Sequence, residues 1–248
     1  DQLIFEKLTD KLARVFKVNT DEQRLDSVHI RSNMRKLGRI SLFSQSIHKF
    51  LVNLKRHHRD LFDELETALI ERYWSKKALA AFSLVKPSAS AKSLERVSSD
   101  LFDLVQLFKD APSVCGMHSY KLMQRVLNEQ CQLSVDEKGS RVTVKETRQI
   151  ASGSMQNPSD PDATYSGHKG QGYQAQIMET FTRTEDPKKK AQELNLITHV
   201  AVETACKHDV HALEPAIEDT KARGISPKTL VADTLYGTDH NDQAAQQQ

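Results

Sequence analysis

The sequence predicts an α/β fold, a mixed sheet interrupted by an all-α insertion after its first strand. Three observations carry this. An alternating strand-like stretch comes early, apolar residues then recur at helical spacing from about residue 38 to residue 133, and from Ser140 the period changes to two. The order is therefore strand, helical block, three strands, helix, strand.

Each element has its own signal. Leu8, Leu12, Val15 and Phe16 space an opening amphipathic helix. In "RLDSVHI", Asp26, Val28 and Ile30 share one strand face, which should be the buried one. Helical spacing of three and four follows at Ile40, Phe43, Ile47, Phe50 and Leu54, and again at Phe62, Leu65, Leu69 and Tyr73. It returns at Leu94, Val97, Leu101, Val105 and Phe108, and in a shorter run from Ser119 to Cys131. Lys86-Pro87-Ser88 breaks two of these helices apart. Downstream, "RVTVKE", "GYQAQIMET" and "NLITHVAVE" read as strands, with "RTEDPKKKAQE" as a charged loop. Asp209 can cap a helix that runs to about Arg223, where Gly224 stops it. Thr229–Ala232 reads as a short strand buried on both faces. The resulting division is 1–37 for the first helix and strand, 38–133 for the insertion, and 134–248 for the remainder.

Composition narrows the function classes. The 248 residues suffice for one large domain or two small ones, and 38% hydrophobic with 27% charged residues is globular. No run of eighteen apolar residues exists, so no membrane span is expected, and the first residues lack a signal-peptide layout. Three scattered cysteines (Cys115, Cys131 and Cys206) suggest a reducing, cytosolic setting without a disulfide framework. The chain starts without Met and closes on a polar tail, as a fragment would. The net charge of +2 conceals a block from Arg31 to Arg59 with eight Lys/Arg and no Asp or Glu. Such a block is either a polyanion-facing surface or a solvated helix face.

Several motifs compete as sites. The glycines of "SGHKGQGYQ" do not fit the phosphate-loop spacing and suit a hairpin turn, although His168 and Lys169 at its tip could touch a phosphate. Cys206, His208 and His211 lie close together, yet match no common structural-zinc spacing and suit a polar helix entry better. Tyr73-Trp74 beside Lys76-Lys77 could stack on a base, or form a core pair with a basic flank. No G-x-S-x-G element or thiol-enzyme signature is present. Asp26 and Asp233 remain. Asp233 sits in the apolar run "TLVADTLYG", where a carboxylate is costly without a metal, a hydrogen-bond network or a partner, unless it merely opens a turn with Gly237. Two such carboxylates on neighbouring strands can hold Mg²⁺ for phosphodiester chemistry, with a basic surface to hold DNA.

The stretches "QRLDSVHIRSNM", "SMQNPSDPDATYSGHKGQGYQAQIMET", "NLITHVAVE" and "TLVADTLYG" resemble those of DDE-type transposases of bacterial insertion sequences. The similarity runs over nearly the whole chain, and Ser154–Thr180 is its most specific part. The resemblance implies a ribonuclease-H-like fold, with Asp26 and Asp233 as the first two catalytic, metal-binding carboxylates. It implies Mg²⁺, or Mn²⁺ in its place, and strand cleavage and transfer at insertion-sequence ends. The expected partners are those ends and target DNA, with a second copy or an intact transposase, in a nucleoid-associated, cytoplasmic setting. Phosphate contacts are expected from Arg31, Arg35, Lys36, Arg39, Lys55, Arg56, His168 and Lys169. The sequence departs from the family at Val28, where Thr is frequent, and after Asp233, where Asp239 and Asp242 are followed by no Glu. The resemblance also suggests that residues are missing before Asp1, where such transposases usually carry a DNA-binding region. The expectation is an inactive fragment of the enzyme, or else a non-catalytic DNA-binding remnant that inhibits an intact relative.

Overall fold

The computed structural model describes residues 1–136 and 139–237, so Asp239 and Asp242 lie outside the described residues. The chain forms two compact units. The first joins residues 1–31 to those from Ser166 onward, and the second is Ser32–Tyr165. The second unit starts directly after the first strand and runs to Tyr165.

The first unit is mixed α/β. Helix α1 (Gln2–Phe16) ends on Lys17 in the left-handed region, whose N–H returns to Ala13 and Arg14 carbonyls. Thr9 and Ala13 are its buried residues, whereas Leu8, Val15 and Phe16 of the expected apolar stripe are exposed. Strand β1 (Glu22–Arg31) is the centre of the sheet. The second unit contributes α2 (Arg39–His57), α3 (Arg59–Asp63), α4 (Thr67–Trp74), α5 (Lys76–Ser83), α6 (Pro87–Phe108), α7 (Pro112–Cys115) and α8 (His118–Gln130). Strands β2 (Cys131–Asp136) and β3 (Gly139–Val144) follow, and β4 (Thr164–Ser166) spans the boundary. Back in the first unit are β5 (Gly170–Thr180), α9 (Pro187–Gln192), β6 (Ile197–Thr204), α10 (Leu213–Ala222) and β7 (Thr229–Ala232).

Strand β5 runs antiparallel to β1 on one side and to β6 on the other, while β7 runs parallel to β1. Among the strands that lie wholly in the first unit, the order is thus β6-β5-β1-β7. Leu25 and Met178 pack with Ala212, Leu213, Ala216 and Ile217 around α10, together with Tyr236. That core takes the odd-numbered face of β1, so Gln23 and Leu25 are buried while Asp26, Val28 and Ile30 are exposed. The expectation for this strand was wrong by one residue, which reverses every side chain because the period is two. Strand β7 is likewise not buried on both faces: Thr229, Val231 and Ala232 are exposed and Leu230 is half-buried. It pairs only with β1 among the described residues, and an edge strand leaves flank and face open to solvent.

Smaller differences have local causes. Asp209 does not cap α10; it lies in a 3₁₀ turn, Asp209–His211, and its side chain is buried. Gly224 does end α10, at φ 71°, with the Ile225 N–H on the Thr220 carbonyl at 2.9 Å. The charged loop contains α9, started by Pro187 and capped by the Asp186 carboxylate on Lys188 N–H at 2.9 Å. Arg223 bonds Asp10 of α1 and Asp219 of α10, and His199 also contacts Asp219, at 2.6 Å.

In the second unit, Phe43, Ile47, Phe50 and Leu54 of α2 pack with Val97, Leu101, Val105, Tyr120 and Met123. Pro87 opens α6 at the expected break. Tyr73 is fully buried, donates its hydroxyl to Asp100 at 2.5 Å and stacks on Phe82, so the Tyr73-Trp74 pair belongs to the core. The unit is not all-α, because α8 gives way at Cys131 to the β2–β3 hairpin. "RVTV" pairs there rather than in the main sheet. Among the described residues no helix is long and apolar enough to cross a membrane.

Candidate active site

The parallel pairing of β1 and β7 brings the two aspartates together. The last pair of that ladder is Leu25 with Ala232, so Asp26 follows it within β1 and Asp233 follows it just past the end of β7. Both side chains are exposed. One oxygen of each carboxylate is used locally: Asp26 accepts from the Ser27 N–H at 2.7 Å, and Asp233 from the Thr234 hydroxyl at 3.0 Å. Among the described residues the other oxygen of each has no hydrogen-bond partner. Asp233 also starts a 3₁₀ turn, Thr234–Tyr236, in which the Tyr236 N–H donates to its carbonyl at 3.0 Å. Asp233 thus opens a turn that closes at Gly237, one of the two readings of this residue.

Two hard oxygen donors side by side suit Mg²⁺, which takes one or two carboxylates and keeps several waters. Among the described residues no group of three or more His, Cys, Asp or Glu side chains is arranged to hold a metal. That applies to Cys206, His208 and His211 as well, and His208 instead accepts the Val210 N–H.

Beneath the pair lies a polar network that the sequence did not announce. Asp209 is 8% exposed, and one of its oxygens accepts from Gln174 Nε2 at 2.6 Å and Gln176 Nε2 at 2.9 Å. Lys169 Nζ donates to the other oxygen at 3.3 Å, to Ser27 Oγ at 2.9 Å and to Gln174 Oε1 at 2.9 Å. The Tyr236 hydroxyl donates to Gln176 Oε1 at 2.7 Å. Burial opposes the charge on Asp209, but the bond from Gln176, the Lys169 charge and the bonds from Lys169 and Ser27 outweigh it and hold this carboxyl below its ordinary range. Burial, followed by the nearby Asp209 charge, drives the Tyr236 phenol well above its ordinary value, and the charges of Asp26 and Asp233 add to this. The only sequence signal was polarity out of pattern: Gln174 and Gln176 alternate along a strand on what proves to be its buried face.

The expected phosphate-binding residues divide between the units. Arg31, His168 and Lys169 belong to the first; Arg35, Lys36, Arg39, Lys55 and Arg56 belong to the second. Arg31 and His168 are exposed, with His168 in a turn that leads into Gly170 at φ 89°. Lys169 is committed to the buried network and is not a free contact. Arg35, Lys36 and Arg56 are exposed, with Lys36 4.3 Å from the Tyr165 ring centroid. Arg39 is held by Gln130, through its side-chain oxygen at 3.0 Å and its carbonyl at 3.2 Å, and burial lowers the pKa of its guanidinium. Lys55 lies over Trp74 at 4.5 Å and Phe62 at 5.1 Å. Arg35, Lys36 and Arg39 line one cavity of about 500 Å³, with Ser41, Ser83 and Phe82. In comparisons with protein-family models, curated proteins and solved structures, nothing matches the chain.

Proposed function

We propose that this chain carries the interrupted catalytic core of a DDE-type transposase, with a ribonuclease-H-like first unit whose Asp26 and Asp233 bind Mg²⁺ or Mn²⁺. The observation that carries the reading is the register of β1 against β7, whose last pair, Leu25 with Ala232, immediately precedes the two aspartates. The strand order β6-β5-β1-β7, with β1 between an antiparallel and a parallel neighbour, supports it. Ligand sites in open α/β sheets favour the carboxyl ends of strands, and Asp233 follows the last residue of β7. A cation bound there supplies Lewis-acid stabilisation and an activated water or 3′-hydroxyl for phosphodiester chemistry. Asp26 and Asp233 would hold it, and Arg31, Arg35, Lys36 and Arg56 would contact DNA phosphates without reading sequence.

The second reading, a DNA-binding remnant without catalysis, is favoured by the count of carboxylates. Two-metal chemistry needs both ions fixed, and the described residues offer two ligands rather than three. Both readings predict DNA binding, and the cation separates them. Mn²⁺ titration followed by electron paramagnetic resonance, with and without duplex DNA from the element's ends, is the test. The transposase reading expects Mn²⁺ binding that either Asp26→Asn or Asp233→Asn abolishes. Binding that neither substitution changes would overturn it.

A further inference from the structure

The backbone ladder between β1 and β7 stops at Leu25 and Ala232, one residue short of both aspartates. Asp233 therefore needs another restraint if its carboxylate is to stay beside that of Asp26. The polar network provides one. Ser27, next to Asp26, is bonded by Lys169, and Tyr236, whose N–H is bonded to the Asp233 carbonyl, is bonded to Gln176. Lys169 and Gln176 both end on Asp209, so the two aspartate-bearing segments are fastened to one buried carboxylate. Such a cluster is a poor choice for stability alone, because well-packed apolar residues commonly do as well as a buried ion pair. All three Lys169 protons are also spent within the network, leaving none for an outside ligand.

We infer that Lys169, Gln176, Asp209 and Tyr236 are positioning residues, which clamp Ser27 and the Thr234–Tyr236 turn so that Asp26 and Asp233 present their open oxygens to one cation. The inference rests on the reading of that pair as a cation site and adds the part of the molecule that shapes it. Groups one layer behind metal ligands typically change metal affinity by about 10- to 100-fold when removed.

The test uses the full chain, with Tyr236→Phe (which removes only a hydroxyl) and Lys169→Met. Hydrogen–deuterium exchange is read on peptides covering residues 22–31 and 229–237, and Mn²⁺ affinity by paramagnetic resonance. The expected result is faster exchange in both segments, unchanged exchange in β6, and an Mn²⁺ dissociation constant raised about tenfold. Unchanged exchange in the folded variants overturns the inference, as does faster exchange with unaltered Mn²⁺ affinity. A wild-type chain that binds Mn²⁺ no better than Asp26→Asn overturns the cation reading instead, and exchange alone then upholds or overturns the clamp.

Discussion

Replacing Asp209 by Asn tests the charge at the centre of the network. Asn keeps one oxygen acceptor in nearly the same volume, so the change removes the negative charge and leaves Lys169 facing a neutral amide. The side chain of Asp209 is 10% exposed and that of Lys169 is 30% exposed, so the pair is neither fully buried nor a surface bridge. Breaking a fully buried pair costs about 3–5 kcal/mol, and exposed pairs are worth about 0–1 kcal/mol. The 3.3 Å separation and the partial hydration of Lys169 put the expected loss near the middle, at about 2 kcal/mol. The pH dependence gives the sharper signature. The Asp209 carboxyl is held below its unfolded value, so its contribution is fully present above the ordinary carboxyl range of about 3.9 and is lost as pH falls through the folded-state value. Urea unfolding of both proteins, at pH 7 and stepwise down to acid, should therefore show a gap that narrows below about pH 3.9. Because the chain has two units, the transition should be followed by a probe in the first. A gap independent of pH would refute the argument that charge, rather than shape, makes Asp209 stabilising.

Three further outcomes are expected. Removing Arg35 and Lys36 together should flatten the slope of log DNA affinity against log salt by roughly 1.8, at about 0.9 per lost phosphate contact. Adding Arg39→Ala should change that slope little and lower stability instead, because Gln130 already holds its guanidinium; filter binding and urea melts separate the two effects. Gly224→Ala should cost about 1–2 kcal/mol through backbone strain alone, since φ is 71° and an added Cβ would meet nothing within 4 Å. A thermal midpoint equal to that of the wild type would show that the α10 terminus relaxes freely.

Local periodicity determined a good deal here. The helices at Ile40–Leu54 and Leu94–Phe108, the break at Pro87, the stop at Gly224 and the strands around Tyr173 and Thr198 were all legible, because each depends on spacing or on one residue's allowed dihedrals. The two aspartates stood out as carboxylates in runs expected to be buried, yet both are exposed, so the cost of burying them does not arise. Which face of β1 is buried was not legible. Asp26, Val28 and Ile30 alternate as well as Leu25, Ser27 and His29 do, and only the packing of α10 against Leu25 chooses between them. Strand β7 misled for a similar reason: an apolar run of four residues reads the same at an edge as in the interior, and pairing partners distant in sequence decide which it is. The network shows this most fully. Its members lie at positions 27, 169, 174, 176, 209 and 236, and no spacing rule connects them. They meet because β1 and β5 pair antiparallel and the Asp209 and Tyr236 turns cover the face those strands share, a convergence that exists only once the sheet has formed.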